Sequence, residues 1–537
     1  MRLISFIFLG LMCSYNALAQ LYYPNETFYN SELERSFLHE GKNNSHHFSH
    51  NSLKPLQETH TIDDSIYYDG SKQYYWLTQK LFKENFLIFS DNKKDPKKAN
   101  YWCSVDPILD LEGGSDLAGD SLSLMYWNTR GIRVQARFLD KVAFTTSVYE
   151  TQSIQPEYFS DYVSAHGEFY PNTSGGYYTQ QNGVVPGYAR TKPFKINGFD
   201  YSMAQGQLAI NPNQNLNITI GNGNHFIGNG YRSLLLSDFT TPYPFINART
   251  YFWEGRIQYS IFYSIHQNLY RLSQFTTPEA TYEKNLGAHQ YLDISITKNW
   301  QLGIFHGSLW NRVDSSGLQK LDPLYFNPII GVNNFIQADQ DGRNHISGIN
   351  SSFSFLNTVL YGQLVLGRDF NLGGYQIGFK TYDLIIPYLD FRAEYNHVNA
   401  NNYLSDNERM NWSSNNLPLA HPLTAGFDEL IARVSYQRKR FFVQNVFTYS
   451  ARNRNDNANI GTHILSAAST DLDAAGFYQN HVVLNQLEIG YRFNRTNNLQ
   501  LFIGHTYRNE TVYTNKPTTN YVYAGIRTRL NNKILNF

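Results

Sequence analysis

The sequence predicts an all-β protein, a transmembrane antiparallel β-barrel of the bacterial outer membrane with about eighteen strands, preceded by a short periplasmic extension with one helix. Three observations predict this fold: an export signal, an alternation of apolar and polar residues from Tyr101 onward, and connections that alternate between short and long. The expected boundaries are residues 1–19 for the signal peptide, 20–100 for the periplasmic extension and 101–537 for the barrel.

The export signal is the first element along the chain. Arg2 precedes an apolar run over residues 3–12, and residues 17–19 supply the small-residue motif that signal peptidase needs. Because this run is too short to cross about 30 Å of hydrocarbon as a helix, we expect cleavage before Gln20 and not a membrane anchor. The mature chain then keeps a single cysteine, Cys103, so no intramolecular disulfide is expected.

The periplasmic extension is polar and shows no regular alternation. Apolar residues at helical spacing predict one amphipathic helix between about Lys72 and Ile88, and they are Trp76, Leu77, Leu81, Phe82 and Phe86. We expect this helix to pack on the end of the barrel. His46, His47 and His50 could ligate a metal, but such a tract is more typical of an exposed polar segment. We therefore expect no metal and no cofactor.

Strands follow from Tyr101 onward because polar and apolar residues alternate there. In the segment from Gly131 to Phe138, Ile132 and Val134 share one face while Arg133 shares the other. Charges on one face fit a watery lumen, and the apolar face then meets lipid. The charged residues expected to line the lumen are Arg133, Arg137, Asp293, Arg392, Glu394, Arg433 and Arg527.

Connections between the predicted strands alternate in length along nearly the whole chain. Short turns are expected at residues 139–141, 211–215, 254–255, 298–300, 357–358, 385–388, 437–440 and 494–498. Long connections cover residues 151–200, 224–246, 269–287, 310–345, 398–427 and 452–481, and the modest connection 368–374 is the exception. Outer-membrane barrels have short periplasmic turns and long extracellular loops, so this alternation orients the barrel and places both termini in the periplasm.

Composition agrees with a barrel and excludes other classes of protein. The chain has 41 Tyr and 36 Phe, which suit aromatic girdles at both membrane interfaces. Its 44 basic and 44 acidic residues cancel, so no basic field attracts nucleic acid. There is no G-x-S-x-G elbow, no H-E-x-x-H motif and no pair of cysteines for zinc. We therefore expect no catalytic residues and no enzymatic activity.

One segment resembles a known family. Residues 222–244, NGNHFIGNGYRSLLLSDFTTPYP, are similar to gliding-motility RemB-like outer-membrane proteins, which are related to the capsule-assembly Wzi family. The other matching motifs are residues 106–107, 128–131, 186–187, 200–201, 394–395 and 419–423. The similarity runs from about Trp76 to the region of Ile431, and Asn229 stands where a frequent form of the motif has Asp.

The resemblance implies a partly occluded barrel of eighteen strands with surface loops that engage polysaccharide. On that interpretation Tyr231, Arg232, Asp238 and His421 form a site for sugar hydroxyls and carboxylates, since Arg offers a fork of donors and Tyr a stacking face. Alternatively, Arg232 and Asp238 pair with each other and fold the loop into the barrel mouth as a plug. The lumen charges are open to the same two interpretations.

The predicted function is that of an outer-membrane surface protein that attaches or organises exopolysaccharide or capsule and supports gliding motility or adhesion. Its expected partners are outer-membrane lipid, the polysaccharide, and motility or secretion machinery. The alternative is a porin or solute channel. An outer-membrane hydrolase is a third candidate, which the missing catalytic motifs disfavour.

Overall fold

The computed structural model describes residues 27–40, 50–56, 75–92, 99–119, 124–139, 141–171, 178–272, 282–333, 342–367, 370–455, 458–469, 476–513, 515–528 and 533–537. The predicted signal peptide, His46 and His47 lie outside the described residues. Across the described ranges, none of the helices combines the length and the apolar character needed to cross a membrane.

Eighteen antiparallel strands form a closed barrel, as predicted. They are β1 (Tyr101–Asp116), β2 (Met125–Phe138), β3 (Val142–Ile154), β4 (Gly198–Asn213), β5 (Leu216–Gly223), β6 (Tyr243–Phe252), β7 (Ile257–Arg271), β8 (Tyr282–Ser295), β9 (Trp300–Asp314), β10 (Arg343–Phe355), β11 (Thr358–Leu366), β12 (Leu372–Thr381), β13 (Leu389–Val398), β14 (Phe427–Arg438), β15 (Phe441–Asn455), β16 (Phe477–Asn494), β17 (Leu499–Thr511) and β18 (Thr518–Arg527). The barrel closes where β18 pairs with β1, from Tyr521 opposite Asp116 to Arg527 opposite Asp110.

The connections have the predicted alternation. Each short turn expected from the sequence joins two neighbouring strands of the wall, for example residues 439–440 between β14 and β15. The long connections join neighbouring strands at the opposite end of the barrel from the short turns. The longest of them lies between Ile154 and Gly198. The expected exception is also present, because only residues 367–371 separate β11 from β12.

The two faces of the wall differ in polarity. On β2, Ile132 is 47% exposed whereas the adjacent Arg133 is 8% exposed. On β14, Val434 is 42% exposed and Arg433 is 5% exposed. Neighbouring residues of a strand point to opposite faces, so the apolar side chains cover the outside and the charged ones line the lumen.

Three helices accompany the barrel in the described residues: α1 (Thr27–Glu40), α2 (Trp76–Phe82) and α3 (Glu157–Ala165). The helix predicted over residues 72–88 is shorter than expected. The backbone N–H of Phe86 and the side chain of Asn85 both donate to the Asp106 carboxylate, at 2.8 and 2.6 Å. These bonds hold the chain out of the helix, and it continues as the short strand Leu87–Ser90, which pairs with β1.

The other short elements belong to the long connections and to the N-terminal region. Strands Leu53–Lys54 and Phe226–Ile227 pair with each other, as do Ser413–Ser414 with Leu417–Pro418 and Glu168–Pro171 with Tyr178–Gln181. Lys192–Phe194 pairs with the beginning of β4, and Gly317–Leu318 pairs with β9. Two 3-10 turns occupy Pro323–Phe326 and Glu408–Met410.

An apolar core fills the inside of the barrel. Its fully buried members come mostly from the long connections and include Leu234, Leu235, Leu236, Trp412, Leu417, Leu419 and Ala420. These connections are folded into the lumen, where their apolar residues pack against each other and against inward-facing aromatic residues such as Phe262 and Phe305. The lumen is therefore plugged by the protein's own loops.

Candidate functional site

The loop between β5 and β6 contains the motif of the resemblance. The carboxylate of Glu394 is one of the groups that anchor this loop in the lumen. Glu394 on the inner face of β13 accepts hydrogen bonds from the backbone N–H groups of Tyr231 and Arg232, at 2.5 and 3.0 Å. The hydroxyl of Tyr361 donates to the same carboxylate at 2.9 Å. Glu394 is buried, so these donors replace the water that the carboxylate loses.

The guanidinium group of Arg232 bonds to the barrel wall and to the C-terminal segment. Its Nη2 lies 3.2 Å from the Glu429 carboxylate on β14 and also donates to the backbone carbonyl of Asn536. The other oxygen of Glu429 lies 2.8 Å from Nε2 of His421. All three charged or titratable side chains are buried, and the loss of one member of such a group is costly because the others remain buried without compensation.

The predicted site residues therefore occupy two environments. Arg232 and His421 meet through Glu429 in the buried plug, whereas Tyr231 and Asp238 are half-buried. Tyr231, Arg232 and Asp238 all line an internal cavity. Glu429, not Asp238, is the carboxylate at ion-pair distance from Arg232. This geometry uses the donors of Arg232 within the protein, so the plug interpretation accounts for its position. A direct contact of these residues with polysaccharide stays a prediction.

The cavity beside Tyr231 extends along the inner wall toward the periplasmic turn that contains Asn498. Its wall carries charges that are paired with each other. Arg527 donates to Glu488 at 2.9 Å, and Lys533 donates to Glu112 at 2.6 Å. The cavity is polar, which suits water or a hydrophilic solute.

Residues 533–537 lie inside the lumen and complete the plug. Nδ2 of Asn536 donates to the hydroxyl of Tyr231 at 2.6 Å, and Tyr158 on α3 donates to the carbonyl of Leu535 at 3.0 Å. The ring of Phe537 lies 4.1 Å from that of Tyr162. This segment thus ties α3 to the loop that contains Arg232.

The predicted lumen charges lie on the inner wall, and the N-terminal region contacts several of them. Asp293 accepts from the hydroxyl of Ser52 at 2.5 Å and lies 3.3 Å from His50. Arg433 donates to Gln444 at 3.1 Å. The remaining predicted residues project inward from β2, β13 and β18, and they are Arg133, Arg137, Arg392, Glu394 and Arg527.

A second charged group at the periplasmic end was not predicted from the sequence. Glu34 of α1 lies 2.7 Å from Nζ of Lys380 on β12, and it also accepts from the hydroxyl of Tyr382. Burial alone would raise the pKa of the Glu34 carboxyl, but the charges of Lys380, Lys54 and Arg392 lower it to about 2. Glu34 is therefore ionised, and it fixes α1 inside the barrel.

Of the three histidines considered as metal ligands, His50 alone lies within the described residues. The side chain of His50 is buried, and its Nε2 lies 2.6 Å from the carbonyl of Gly255. His50 is therefore part of the lumen filling and not of an exposed tract, in contrast to the expectation. No group of three or more His, Cys, Asp or Glu residues suited to a metal ion occurs in the part of the chain that the structure describes.

Neither a protein-family model nor a curated protein matches the sequence. Among solved structures, Wzi of Escherichia coli, an outer membrane protein involved in group 1 capsule assembly and a carbohydrate-binding β-barrel, is similar with a TM-score of 0.53. The sequences are 13% identical, and the match covers 94% of this chain and 98% of Wzi.

Two further matches have lower TM-scores. OprD of Pseudomonas aeruginosa has a TM-score of 0.38 at 9% identity, covering 79% of this chain and 94% of OprD. OccAB2 of Acinetobacter baumannii has a TM-score of 0.41 at 9% identity, covering 79% of this chain and 97% of OccAB2. The closed wall of eighteen strands and the likeness to Wzi together show that this chain folds as a β-barrel of the outer membrane.

Proposed function

We propose that this protein is a non-enzymatic surface protein that attaches or organises exopolysaccharide or capsule at the outer membrane. The observation that carries the proposal is the filling of the lumen by the long connections, α1, and residues 50–56 and 533–537. A barrel whose interior is packed in this way is built to hold its extracellular loops in place. The likeness of the fold to a carbohydrate-binding barrel supports this function.

The buried charges give the plug a mechanical role in this function. Glu394 and Glu429 hold the loop that contains Arg232, and Glu429 also holds the connection that contains His421. Loops fixed by several buried ion pairs lose little conformational entropy when a ligand binds, which favours affinity. We propose that Arg232 and His421 preorganise the loops, and that Tyr231 and Asp238 face a ligand that enters the cavity.

A link to motility or adhesion is the finer part of the proposal. Its support is the resemblance of residues 222–244 to gliding-motility RemB-like proteins. Polysaccharide held at the cell surface gives a cell a means of adhering to a substratum, and motility or secretion machinery is the expected protein partner.

The proposal is tested with a deletion strain that is complemented by the parent gene. We expect the strain to release polysaccharide into the medium, to spread or adhere less, and to recover both properties on complementation. Arg232→Ala should reduce retention together with the amount of correctly plugged barrel, whereas Ser36→Ala removes only a hydroxyl that bonds to Leu33 in the same helix and should preserve both. Normal retention and adhesion in the deletion strain would refute the proposed function.

The alternative, a solute channel, is favoured by one observation, the polar cavity that reaches the periplasmic turn with Asn498. Single-channel recording in planar bilayers separates the two functions. A plugged barrel should give no steady conductance, and removal of residues 533–537 should open a measurable one. A stable open channel in the parent protein would favour the transport function.

A further inference from the structure

Three arginines gather on the inner wall at the extracellular end of the barrel. Arg452 and Arg454 lie near the end of β15, and Arg508 lies near the end of β17. We call them the arginine cluster. Their strands are joined by β16, in which Leu484 pairs with Arg508 and Val482 pairs with Ser450, two residues from Arg452. The three side chains face the lumen. Because Thr448 and Arg508 both pair with Leu484, Arg508 lies four residues closer to the middle of the barrel than Arg452.

The arginine cluster has more positive charge than its surroundings compensate. Arg508 lies 2.7 Å from the carboxylate of Glu510, which also accepts from Asn480. Nε of Arg452 donates to the hydroxyl of Ser450 at 3.2 Å. No carboxylate of the described residues lies within ion-pair distance of Arg452 or Arg454. Among the described residues, the arginine cluster thus has three cations and one carboxylate at ion-pair distance, that of Glu510.

Several other inner-wall and plug cations differ in this respect, because a carboxylate lies within ion-pair distance of each of them. Such pairs are Lys380 with Glu34, Arg271 with Glu168, Arg527 with Glu488, Lys533 with Glu112 and Arg232 with Glu429. Cations crowded in a partly buried site without anions repel each other and lower stability. A site of this kind at the extracellular end of the barrel suits an anion that enters from outside.

The neighbours of the arginine cluster suit a sugar that carries the anion. The guanidinium carbon of Arg508 lies 4.8 Å from the ring centroid of Tyr158. Tyr478 pairs in register with Arg454, and its ring lies 4.3 Å from the ring of Tyr513. Aromatic faces pack against the apolar faces of sugar rings, and arginine forks bind carboxylates with two parallel hydrogen bonds.

Little additional positive charge comes from the adjoining loop at neutral pH. Burial and the charge of Arg454 both lower the pKa of the His463 imidazole below its ordinary value. The recognition of an anion by this mouth thus depends on the arginines.

We propose that Arg452, Arg454 and Arg508 bind the carboxylate of an acidic sugar unit in the surface polysaccharide, at the extracellular mouth of the barrel. This inference rests on the proposed function and specifies its ligand as an anionic polymer. Tyr158 and Tyr478 flank the bound unit, and the arginines supply the charge that selects uronate over neutral sugar.

The test measures binding of defined probes to the purified full-length protein in detergent by isothermal titration calorimetry. The probes are a short galacturonate oligosaccharide, a neutral glucose oligosaccharide of the same length, and inorganic phosphate. We expect the galacturonate probe to bind and the neutral probe not to bind. Arg452→Gln with Arg454→Gln should weaken galacturonate binding about tenfold or more, because charge-assisted donors are lost.

Arg438→Gln with Lys439→Gln is the matched control, since it also removes two positive charges, at the opposite, periplasmic end of β14 and in the turn that follows it. It should bind galacturonate like the parent, and all variants should keep the mobility shift between unheated and boiled samples that marks a folded barrel. Phosphate that binds as tightly as galacturonate would identify a general anion site and overturn the sugar assignment. Equal galacturonate binding by the parent and the double variant would also overturn it.

The two proposals fail in different ways. If the deletion strain loses polysaccharide but no galacturonate binds to the arginine cluster, the ligand assignment is wrong and the proposed function stands. If the deletion strain keeps its polysaccharide, the proposed function fails whatever the purified protein binds.

Discussion

The helices α1 and α2 belong to the same N-terminal region, yet α1 buries mainly polar side chains whereas α2 exposes apolar ones. In α1, Asn30, Glu32 and Glu34 are buried. In α2, Trp76 is 70% exposed and Leu77 is 59% exposed. A soluble protein would show the reverse for both helices. The difference follows from the barrel wall, whose inner face carries the charged side chains that α1 contacts and whose outer face is apolar.

The contacts of the two helices explain how each is held. Glu32 lies 2.6 Å from Arg495 and Arg35 lies 2.5 Å from Asp390, so α1 is fixed by charge pairs on the inner wall. For α2, Nδ2 of Asn494 donates to the carbonyl of Lys80 at 3.0 Å, and Phe82 packs near Phe493. These contacts dock one side of α2 on the periplasmic rim and leave its apolar side facing outward. The position of each of these two helices therefore follows the polarity of the surface that it contacts.

The largest effect is expected when the charge of Glu34 is removed. In Glu34→Leu, the cations Lys380, Lys54 and Arg392 stay buried near an apolar side chain, which should cost about 3 to 5 kcal/mol of docking free energy. We expect α1 to leave the lumen, and limited proteolysis of the purified protein should then cleave within α1. Ser36→Ala is the control, because the Ser36 hydroxyl bonds only to the carbonyl of Leu33 in the same helix. Resistance of Glu34→Leu to cleavage would show that ion pairing does not hold α1.

Acid should produce a similar release without mutation. The folded-state pKa of the Glu34 carboxyl is about 2, below its ordinary value, so the stabilisation is complete above pH of about 4.5 and is lost as the pH falls through 2. A shift of this size corresponds to about 3 kcal/mol. Proteolysis with pepsin between pH 4 and pH 2 should cleave α1 progressively. Glu34→Gln should be cleaved across this range, since it cannot ionise.

A smaller effect is expected for a charge placed on the outer wall. Val434→Arg puts a cation in the lipid and should lower the free energy of unfolding by about 2 to 4 kcal/mol. Ser435→Arg points to the polar inner face of the wall and should be tolerated. Quantifying both variants in outer-membrane fractions measures this difference. Equal amounts of the two assembled proteins would contradict the assignment of the faces.

The strands could be predicted from the sequence because polarity alternates within each of them, as Ile132 and Arg133 show. That pattern is local, so no tertiary information is needed. Helix α1 could not be predicted from alternating or periodic apolar residues, since most of its buried residues are polar. Helix α2 was found through its apolar spacing, but its end is set by Asp106, whose bonds to Asn85 and Phe86 no helical pattern reveals.

The charged plug shows a second limit of sequence reasoning. Residues 231 and 232 could be selected as candidates because of their motif, but the partner Glu429 lies 197 residues from Arg232. Pairings between loops inside the lumen have no register of the kind that joins neighbouring strands. The arginine cluster could not be predicted either, because its members lie on two different strands, β15 and β17. Its excess of positive charge becomes visible only when the structure shows which described carboxylates lie beside the arginines.

The smallest effect is expected on the outer side of α2. Tyr75, Trp76 and Leu77 are exposed next to the periplasmic rim of an apolar wall, and Trp is typical of the boundary between lipid and water. We therefore expect this side of α2 to lie in the membrane interface. Leu77→Asn should change the free energy of unfolding by no more than about 1 kcal/mol, because the side chain makes few contacts within the protein.

A spin label locates this side of α2 directly. After replacement of Cys103, the label is attached at Leu77→Cys or, as a water-exposed control, at Lys439→Cys in the periplasmic turn between β14 and β15. Oxygen concentrates in lipid and a nickel chelate in water. In lipid vesicles the label at position 77 should therefore relax mainly with oxygen, and the label at position 439 mainly with the chelate. If position 77 instead behaves like position 439, the apolar side of α2 faces water, and the contrast between the two helices needs an explanation other than the membrane.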